Sequence, residues 1–370
     1  MAEQDNVYQT RIQRARDLMR DEGLDMLFIG PSSDFRYFTG HPVKQSERLT
    51  ALLIPYDGTP TVVVPQLEAP LVAHLGDDFE YEIWTETENP IDRVVERVRR
   101  SGSEAIAIND QIWAGFVIQL QHELPNRSYA RGVNVLKQLR SVKDQFELDL
   151  LKEASRRTDN AWESFIKSVK VIGRTEEEVA EDLKGALADH GMPDVAFCIV
   201  ASGPNGSSPH HHTADRRIQA GDPIVMDFGG IHEGYFSDVT RTPVAGHVPD
   251  DNFTTAYDIV LEAQQAAFEK IAPGVPCQDV DRAARKVITD HGYGDYFIHR
   301  VGHGIGMTGH EDPYLVEGNA EPLQAGMVVS DEPGIYMPGK WGIRIEDSVA
   351  VTASGGERYN HVSREITILE

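Results

Sequence analysis

Two stretches constrain this chain more than any others: Gly221 to Thr242, GDPIVMDFGGIHEGYFSDVTRT, and Gly326 to Asp347, GMVVSDEPGIYMPGKWGIRIED. In the first, the apolar run Ile224-Val225-Met226 ends on Asp227, a glycine-containing turn covers Gly229 to Gly234, and a second extended run carries Asp238. A turn centred between His232 and Glu233 sets Asp227 opposite Asp238 on one face of a hairpin, with Cβ atoms ~5 Å apart. The second stretch repeats the pattern around Pro338-Gly339-Lys340, where the register sets Glu332 opposite Glu346. Each first carboxylate also follows an Ala-Gly pair at the same interval, Ala220-Gly221 before Asp227 and Ala325-Gly326 before Glu332. The expectation is a pseudo-symmetric sheet of two hairpins that gathers four acids in one place.

Four carboxylates inside a sheet are unstable as they stand. Like charges at that spacing raise one another's pKa, and burial disfavours the ionised form unless counter-charge is supplied. Two divalent cations would supply it. Oxygen ligands with one imidazole suit Mn, Co, Zn or Fe better than copper or a cluster. The imidazole candidate is His303 in GHGIGMTGH, where Gly302, Gly304 and Gly306 allow close backbone approach. Reading each acid as a solvated strand residue leaves their matched register unexplained.

The rest of the composition narrows the class. At 370 residues with 40% apolar and 25% charged content, the chain is a globular protein with room for two domains. A net charge of −24 argues against nucleic acid or an anionic membrane as partner. Only Cys198 and Cys277 are present, so no disulfide framework is implied. The N-terminal stretch has no apolar core of a signal peptide, and no run approaches ~18 apolar residues. A cytoplasmic protein is the expectation.

In chain order, residues 8–22 read as an amphipathic helix stopped by Gly23, and Asp25 to Gly30 as a buried strand. Strands at 49–54, 61–64 and 105–108 alternate with helices near 66–74 and 90–100, which indicates a small α/β domain over 1–140. GxGxxG and phosphate-loop patterns are absent, so nucleotide binding has no support. From 141 to 370 a second domain begins with a long helical pattern over 143–170, then a helix opened by a Thr175–Glu178 capping box. A strand at 197–201, the turn-rich loop SGPNGSSPHHHTADRR, and helices at 251–271 and 278–291 surround the first hairpin; His303 and the second hairpin follow.

The order Asp227, Asp238, His303, Glu332, Glu346, in the contexts DFGG, SDVTRT, GHGIG, EPGIY and RIED, resembles the pita-bread metallopeptidases of family M24. This is the fold of methionine aminopeptidase and the Xaa-Pro peptidases. The likeness covers roughly residues 145–370, and the leading domain looks like the creatinase-type N-terminal domain of the Xaa-Pro peptidases. The fold so implied is α+β, a C-terminal pita-bread catalytic domain after a smaller α/β domain. The resemblance implies two divalent cations per subunit, Mn first among Mn, Co, Zn and Fe. Asp227 would serve one metal, Asp238 and Glu346 would bridge, and His303 with Glu332 would complete the other. It further implies hydrolysis of the Xaa-Pro bond of dipeptides or short peptides by a water or hydroxide shared between the metals, with Glu332 as general base.

Three more residues fall on family positions. His210, in SPHHHTADR, matches a histidine on a loop over the metals. His310 matches one that donates to the carbonyl oxygen or tetrahedral intermediate, and Arg344 resembles the arginine beside the bridging glutamate. One departure stands out: many prolidases read HExPR after the equivalent of His310, and here HEDPYL puts Tyr314 where the arginine holds the substrate carboxylate. Either dipeptide selectivity is weaker, or Arg300 or another basic group supplies the anchor. A competing reading on the same scaffold is a C–N hydrolase of a small ring compound, similar to ectoine hydrolase; a binding protein that lost its chemistry fits less well, since all five ligand positions are filled. The resemblance also implies a homodimer.

Overall fold

The computed structural model describes residues 2–370, with side chains from Val7 onward. Contacts divide it at Arg140 and Ser141 into two compact units.

The first unit opens with helix α1 (Ala2–Asp21) and carries a six-stranded mixed sheet. Its strands are β1 (Met26–Ile29), β2 (Ala51–Pro55), β3 (Thr61–Pro65), β4 (Glu80–Trp84), β5 (Ala105–Ile108) and β6 (Ser128–Arg131), in the order β4-β3-β2-β1-β5-β6. Strands β1, β2 and β3 are buried along their whole length, which is why they read as continuous apolar runs rather than alternating ones. Helices α2 (Ser33–Thr39), α3 (Ala69–Val72), α4 (Pro90–Ser101), α5 (Ala114–Glu123) and α6 (Val133–Ser141) complete it. Sequence patterning missed β4, β6, α2 and α5. Strands β4 and β6 are largely exposed edge strands and α5 buries only Leu120 fully, so none carries a strong apolar period.

The second unit has two halves, each with its own core. In the first half, α7 (Gln145–Ser168) and α8 (Glu176–Asp189) pack on β7 (Val195–Ser202), β8 (Ile224–His232) and β10 (Val239–Arg241), with the short β9 (Tyr235–Phe236) completing the hairpin. Both helices start with capping boxes, the expected Thr175–Glu178 and, in addition, Asp144–Glu147. Trp162, Phe165, Met226, Phe228 and Val239 sit in this core. In the second half, β11 (Val244–Ala245) leads to α9 (Asp251–Lys270) and α10 (Cys277–Asp290), which pack against each other. A five-stranded sheet follows: β12 (Gly302–Gly304), β13 (Glu311–Leu315), β14 (Val328–Asp331), β17 (Asp347–Thr352) and β18 (Gly355–Arg358), in the order β13-β12-β14-β17-β18. The hairpin β15 (Gly334–Met337) with β16 (Trp341–Arg344) extends from it, and β19 (Ile368–Leu369) returns to pair with β11. Val329, Ile335, Trp341, Ile343 and Val349 pack under α9 and α10 in this separate core. No described helix is long and apolar enough to cross a membrane.

The two hairpins test the register expectations. In the second, every pair falls where the sequence puts it, from Val328↔Ala350 to Met337↔Trp341. The ladder opens at its middle, however: Glu332 N–H donates to Val301 O (2.8 Å) and Glu346 N–H to Thr240 O (3.1 Å). In the first hairpin the turn centres between Glu233 and Gly234, one residue later than expected, as Ile231↔Phe236 and His232↔Tyr235 show. Both turn residues have positive φ, 50° and 89°. A tight two-residue hairpin turn of this hand needs that at both positions, and glycine takes it without strain. Asp227 therefore faces Thr240, with Asp238 diagonal to it. The shift displaces each partner by two places, so Asp238 stays on the predicted face; a shift of one would have turned it away.

Candidate active site

Asp227 is placed by β8, Asp238 follows the short strand β9, His303 is the centre of β12, and Glu332 and Glu346 sit at the opening in the second hairpin. All five line one cavity of about 310 Å³. Ligand-type atoms of Asp238, His303 and Glu346 lie within 4.8 Å of one another, and all three residues are buried. His303 Nε2 is 3.1 Å from Glu332 Oε1 and 3.7 Å from Asp238 Oδ2. Its Nδ1 is 3.1 Å from the Gly304 carbonyl oxygen, which as a donor there leaves Nε2 aimed at the acids. Ser330 Oγ donates to Glu332 Oε1 at 3.0 Å and accepts from the backbone N–H of His303 at 3.0 Å, tying the Glu332 carboxylate to the strand that carries His303.

The electrostatics are those of acids short of positive charge. Burial, with repulsion from their neighbours, pushes Asp238 and Glu346 well above the ordinary carboxyl range. Asp227 is also raised by burial, partly offset by Arg344. Glu332 departs from the group. Burial opposes its ionisation, but the His303 hydrogen bond and the charges of His303, His299 and Arg344 outweigh it and bring the carboxyl to about 2. Asp227 Oδ1 is buried and has no hydrogen-bond partner. An orphaned carboxylate oxygen beside a triad of close oxygen and imidazole donors fits a cation.

The remaining expected residues also reach the cavity. His210 lies on its rim, and His310 packs edge-on against His303 with ring centroids 3.9 Å apart. Burial and the nearby His303 hold His310 down to about 4, so it is neutral over the physiological range. Arg344 is buried, and its donors are taken: NH2 reaches Asp227 Oδ2 (2.5 Å), Nε reaches Thr240 Oγ1 (3.1 Å), and NH1 reaches Tyr336 OH (2.9 Å) and Pro209 O (3.5 Å). That geometry favours holding Asp227 over touching substrate. Tyr314 lies opposite His303 on β13, and the Arg300 guanidinium rests 4.3 Å over its ring.

Sequence reasoning missed four lining or supporting groups. His299 lines the cavity, and its Nε2 is 2.9 Å from Tyr336 OH. Its position in the run HRVGHGIG, four residues before His303, was the available signal. Tyr336 thereby links His299 to Arg344. Phe197 and Ile199, alternate residues of β7, form an apolar wall; Ile199 pairs with Asp227, and the Phe197 ring occupies the space a Cβ on Gly229 would need.

The comparisons agree with this geometry. The model of metallopeptidase family M24 matches residues 149–353, and that of the creatinase/prolidase N-terminal domain matches residues 11–142. A probable dipeptidase PepE of Mycobacterium bovis is 40% identical over 367 residues, 98% of this chain and 97% of that protein. The crystal structure of dipeptidase PepE from Mycobacterium ulcerans, 40% identical, superposes with a TM-score of 0.91 over 99% of this chain and 98% of that one. A prolidase from Thermococcus sibiricus, 37% identical, gives 0.93 over 98% and 99%. With a full-length match at that identity and the family model spanning more than half of its residues, the chain belongs to metallopeptidase family M24.

Proposed function

We propose that this metallopeptidase is an Xaa-Pro dipeptidase whose catalytic domain spans 141–370 and follows a creatinase-type domain over 1–140. The convergence of Asp238, His303 and Glu346 within 4.8 Å, in the cavity that also takes Asp227 and Glu332, carries the reading. In it, these five residues would hold two divalent cations, and Asp227 Oδ1 is free to join them. Manganese is the first choice, since four carboxylates and one imidazole form a hard donor set. Bound cations supply an acidified water as nucleophile and Lewis acidity at the scissile carbonyl.

The chain's own residues do the rest. Glu332, ionised and steadied by Ser330, takes the proton released by the water and passes it toward the proline nitrogen. That nitrogen belongs to a tertiary amide and becomes a leaving group only when protonated. His310, neutral at working pH, donates to the carbonyl oxygen as charge develops there. His210, on its loop at the cavity rim, contacts the bound substrate. Arg300, braced on Tyr314, meets the free carboxylate of a dipeptide. A chain with only two cysteines suits a cytoplasmic setting, and a homodimer completes the proposal, to be checked by light scattering.

Hydrolysis of Ala-Pro, Ala-Pro-Ala and Ala-Ala by chelator-stripped protein, with Mn, Co or Zn restored singly, tests the reading. Metal-restored cleavage of Ala-Pro above the other two is expected. Cleavage of none, with metal bound, would leave the fold reading standing and remove the substrate reading.

A further inference from the structure

The loop that carries His210 is tied to a buried carboxylate outside the cavity. Glu176, the first residue of α8, is fully buried, and five donor groups from residues 202–214 converge on it. Oε1 accepts from Ser202 N–H (2.7 Å), Ser202 Oγ (2.7 Å) and Asn205 Nδ2 (3.0 Å). Oε2 accepts from Asn205 Nδ2 (3.2 Å), Ala214 N–H (3.2 Å) and the imidazole Nε2 of His211 (3.1 Å). The last contact requires the proton of His211 on Nε2. The loop is gripped from other sides as well. Arg216 donates to Ser202 Oγ and forks onto Asp222. Val200 N–H donates to Thr213 Oγ1, and Gly206 lies so close to Gly342 that a Cβ there would overlap its carbonyl oxygen.

His210 itself makes no such contact. It lies on the cavity rim between Pro209, whose carbonyl accepts from Arg344, and His211, whose ring is held by Glu176. Pro209 and His210 are the central residues of a turn closed by the His211 N–H donating to Ser208 O at 3.1 Å. Holding the His211 ring on Glu176 therefore fixes the end of the turn that presents His210 at the cavity rim.

We infer that Glu176 and His211 form a clasp whose function is to position His210 over the cavity, so that both are positioning residues for catalysis. This rests on the catalytic reading of His210. An imidazole is needed at 211 because it spans from the loop to a carboxylate already bonded to backbone and amide donors. His212, which is exposed, is the member of the histidine tract with no part in the clasp.

A double-mutant cycle on the full metal-loaded chain tests this, using His210→Ala, His211→Ala, the pair of them, and His211→Gln. Turnover of Ala-Pro is read beside hydrogen exchange of the amides of residues 203–214. His211→Ala is expected to lower kcat/KM by about 10- to 100-fold, the order that a misplaced catalytic group costs. In the His210→Ala background the same change should cost less than about twofold, because coupled residues are not additive. Exchange should quicken in residues 203–214 only, with metal content unchanged, and His211→Gln should recover part of the loss. Additive losses, or exchange unchanged by His211→Ala, would overturn the clasp. If His210→Ala alone proved fully active, the reading of His210 would fall, and the exchange result would decide the clasp: quickening upholds the hold on the loop and no change removes it.

Discussion

Thr240 and Glu346 meet at a single bridge between the two hairpins. The Glu346 N–H donates to the Thr240 carbonyl at 3.1 Å, and Thr240 Oγ1 donates to Glu346 Oε2 at 2.5 Å. At this joint the Asp227–Asp238 pair comes to face the Glu332–Glu346 pair. Thr240 Oγ1 also accepts from Arg344 Nε, so the same hydroxyl steadies the guanidinium that holds Asp227.

Replacing that hydroxyl by a methyl should show how much the joint contributes. Thr240→Val leaves Glu346 Oε2 and Arg344 Nε buried without their partner, an expected loss of about 1–3 kcal/mol. Thr240→Ser should retain most of it. Denaturant unfolding of the metal-loaded variants gives the comparison, and a Thr240→Val protein as stable as the wild type would refute the role.

The raised carboxyls predict how metal and pH interact. Asp238 and Glu346 lie well above their ordinary values in the metal-free fold. The folded chain therefore keeps protons that the unfolded chain releases above about pH 4. Their contribution to metal-free stability is greatest in acid and falls as pH rises through the raised values. Cations compete with the same protons. The gain in Tm on adding Mn should thus be larger at about pH 8 than at about pH 5.5. Equal gains at both would contradict the assignment of these two residues as ligands.

Glu332 is both ligand and base in the proposed mechanism. Glu332→Ala should cut kcat by about 10²- to 10⁴-fold with KM much less affected, and should weaken one of the two metals. Turnover near that of the wild type would end the assignment. Asp238→Ala and Glu346→Ala, by contrast, should lose metal outright, which elemental analysis after gel filtration would reveal.

Arg300 supplies the test of dipeptide selectivity. If its guanidinium meets the substrate carboxylate, Arg300→Ala should raise KM for Ala-Pro by about tenfold or more, the worth of one charge-assisted hydrogen bond. Ala-Pro-Ala should be affected less. A strong preference for Ala-Pro that survives the substitution would assign the anchor to another cation.

Much of this was legible in the sequence because it depends on local chemistry. The helical pattern over 143–170 announces α7, the capping box at Thr175 announces α8, and the apolar runs before Asp227 and Glu332 announce their strands. The four acids and the one imidazole were legible from their contexts. The turn at Glu233–Gly234 was misplaced by one residue because glycine fixes the position of positive φ, and the outcome survived because strand parity did. What escaped were buried polar contacts between distant residues: Thr240 with Glu346, Tyr336 with His299, and Glu176 with His211. Neither helical nor strand periodicity distinguishes a buried, fully bonded glutamate from a solvated one at a helix start.

The halves of the second unit each close over a hydrophobic core of their own, one under α7 and α8 and the other under α9 and α10. Between them runs a polar seam, where Thr240, Arg241 and Thr242 meet Glu346, Asp347 and Arg344. The proposed cations would take Asp227 and Asp238 from one side of that seam and His303, Glu332 and Glu346 from the other. They would act as rivets as well as reagents. Chelation then removes the strongest tie between two bodies that can each stay packed, and the first thing it takes from the protein is the cooperativity of its unfolding.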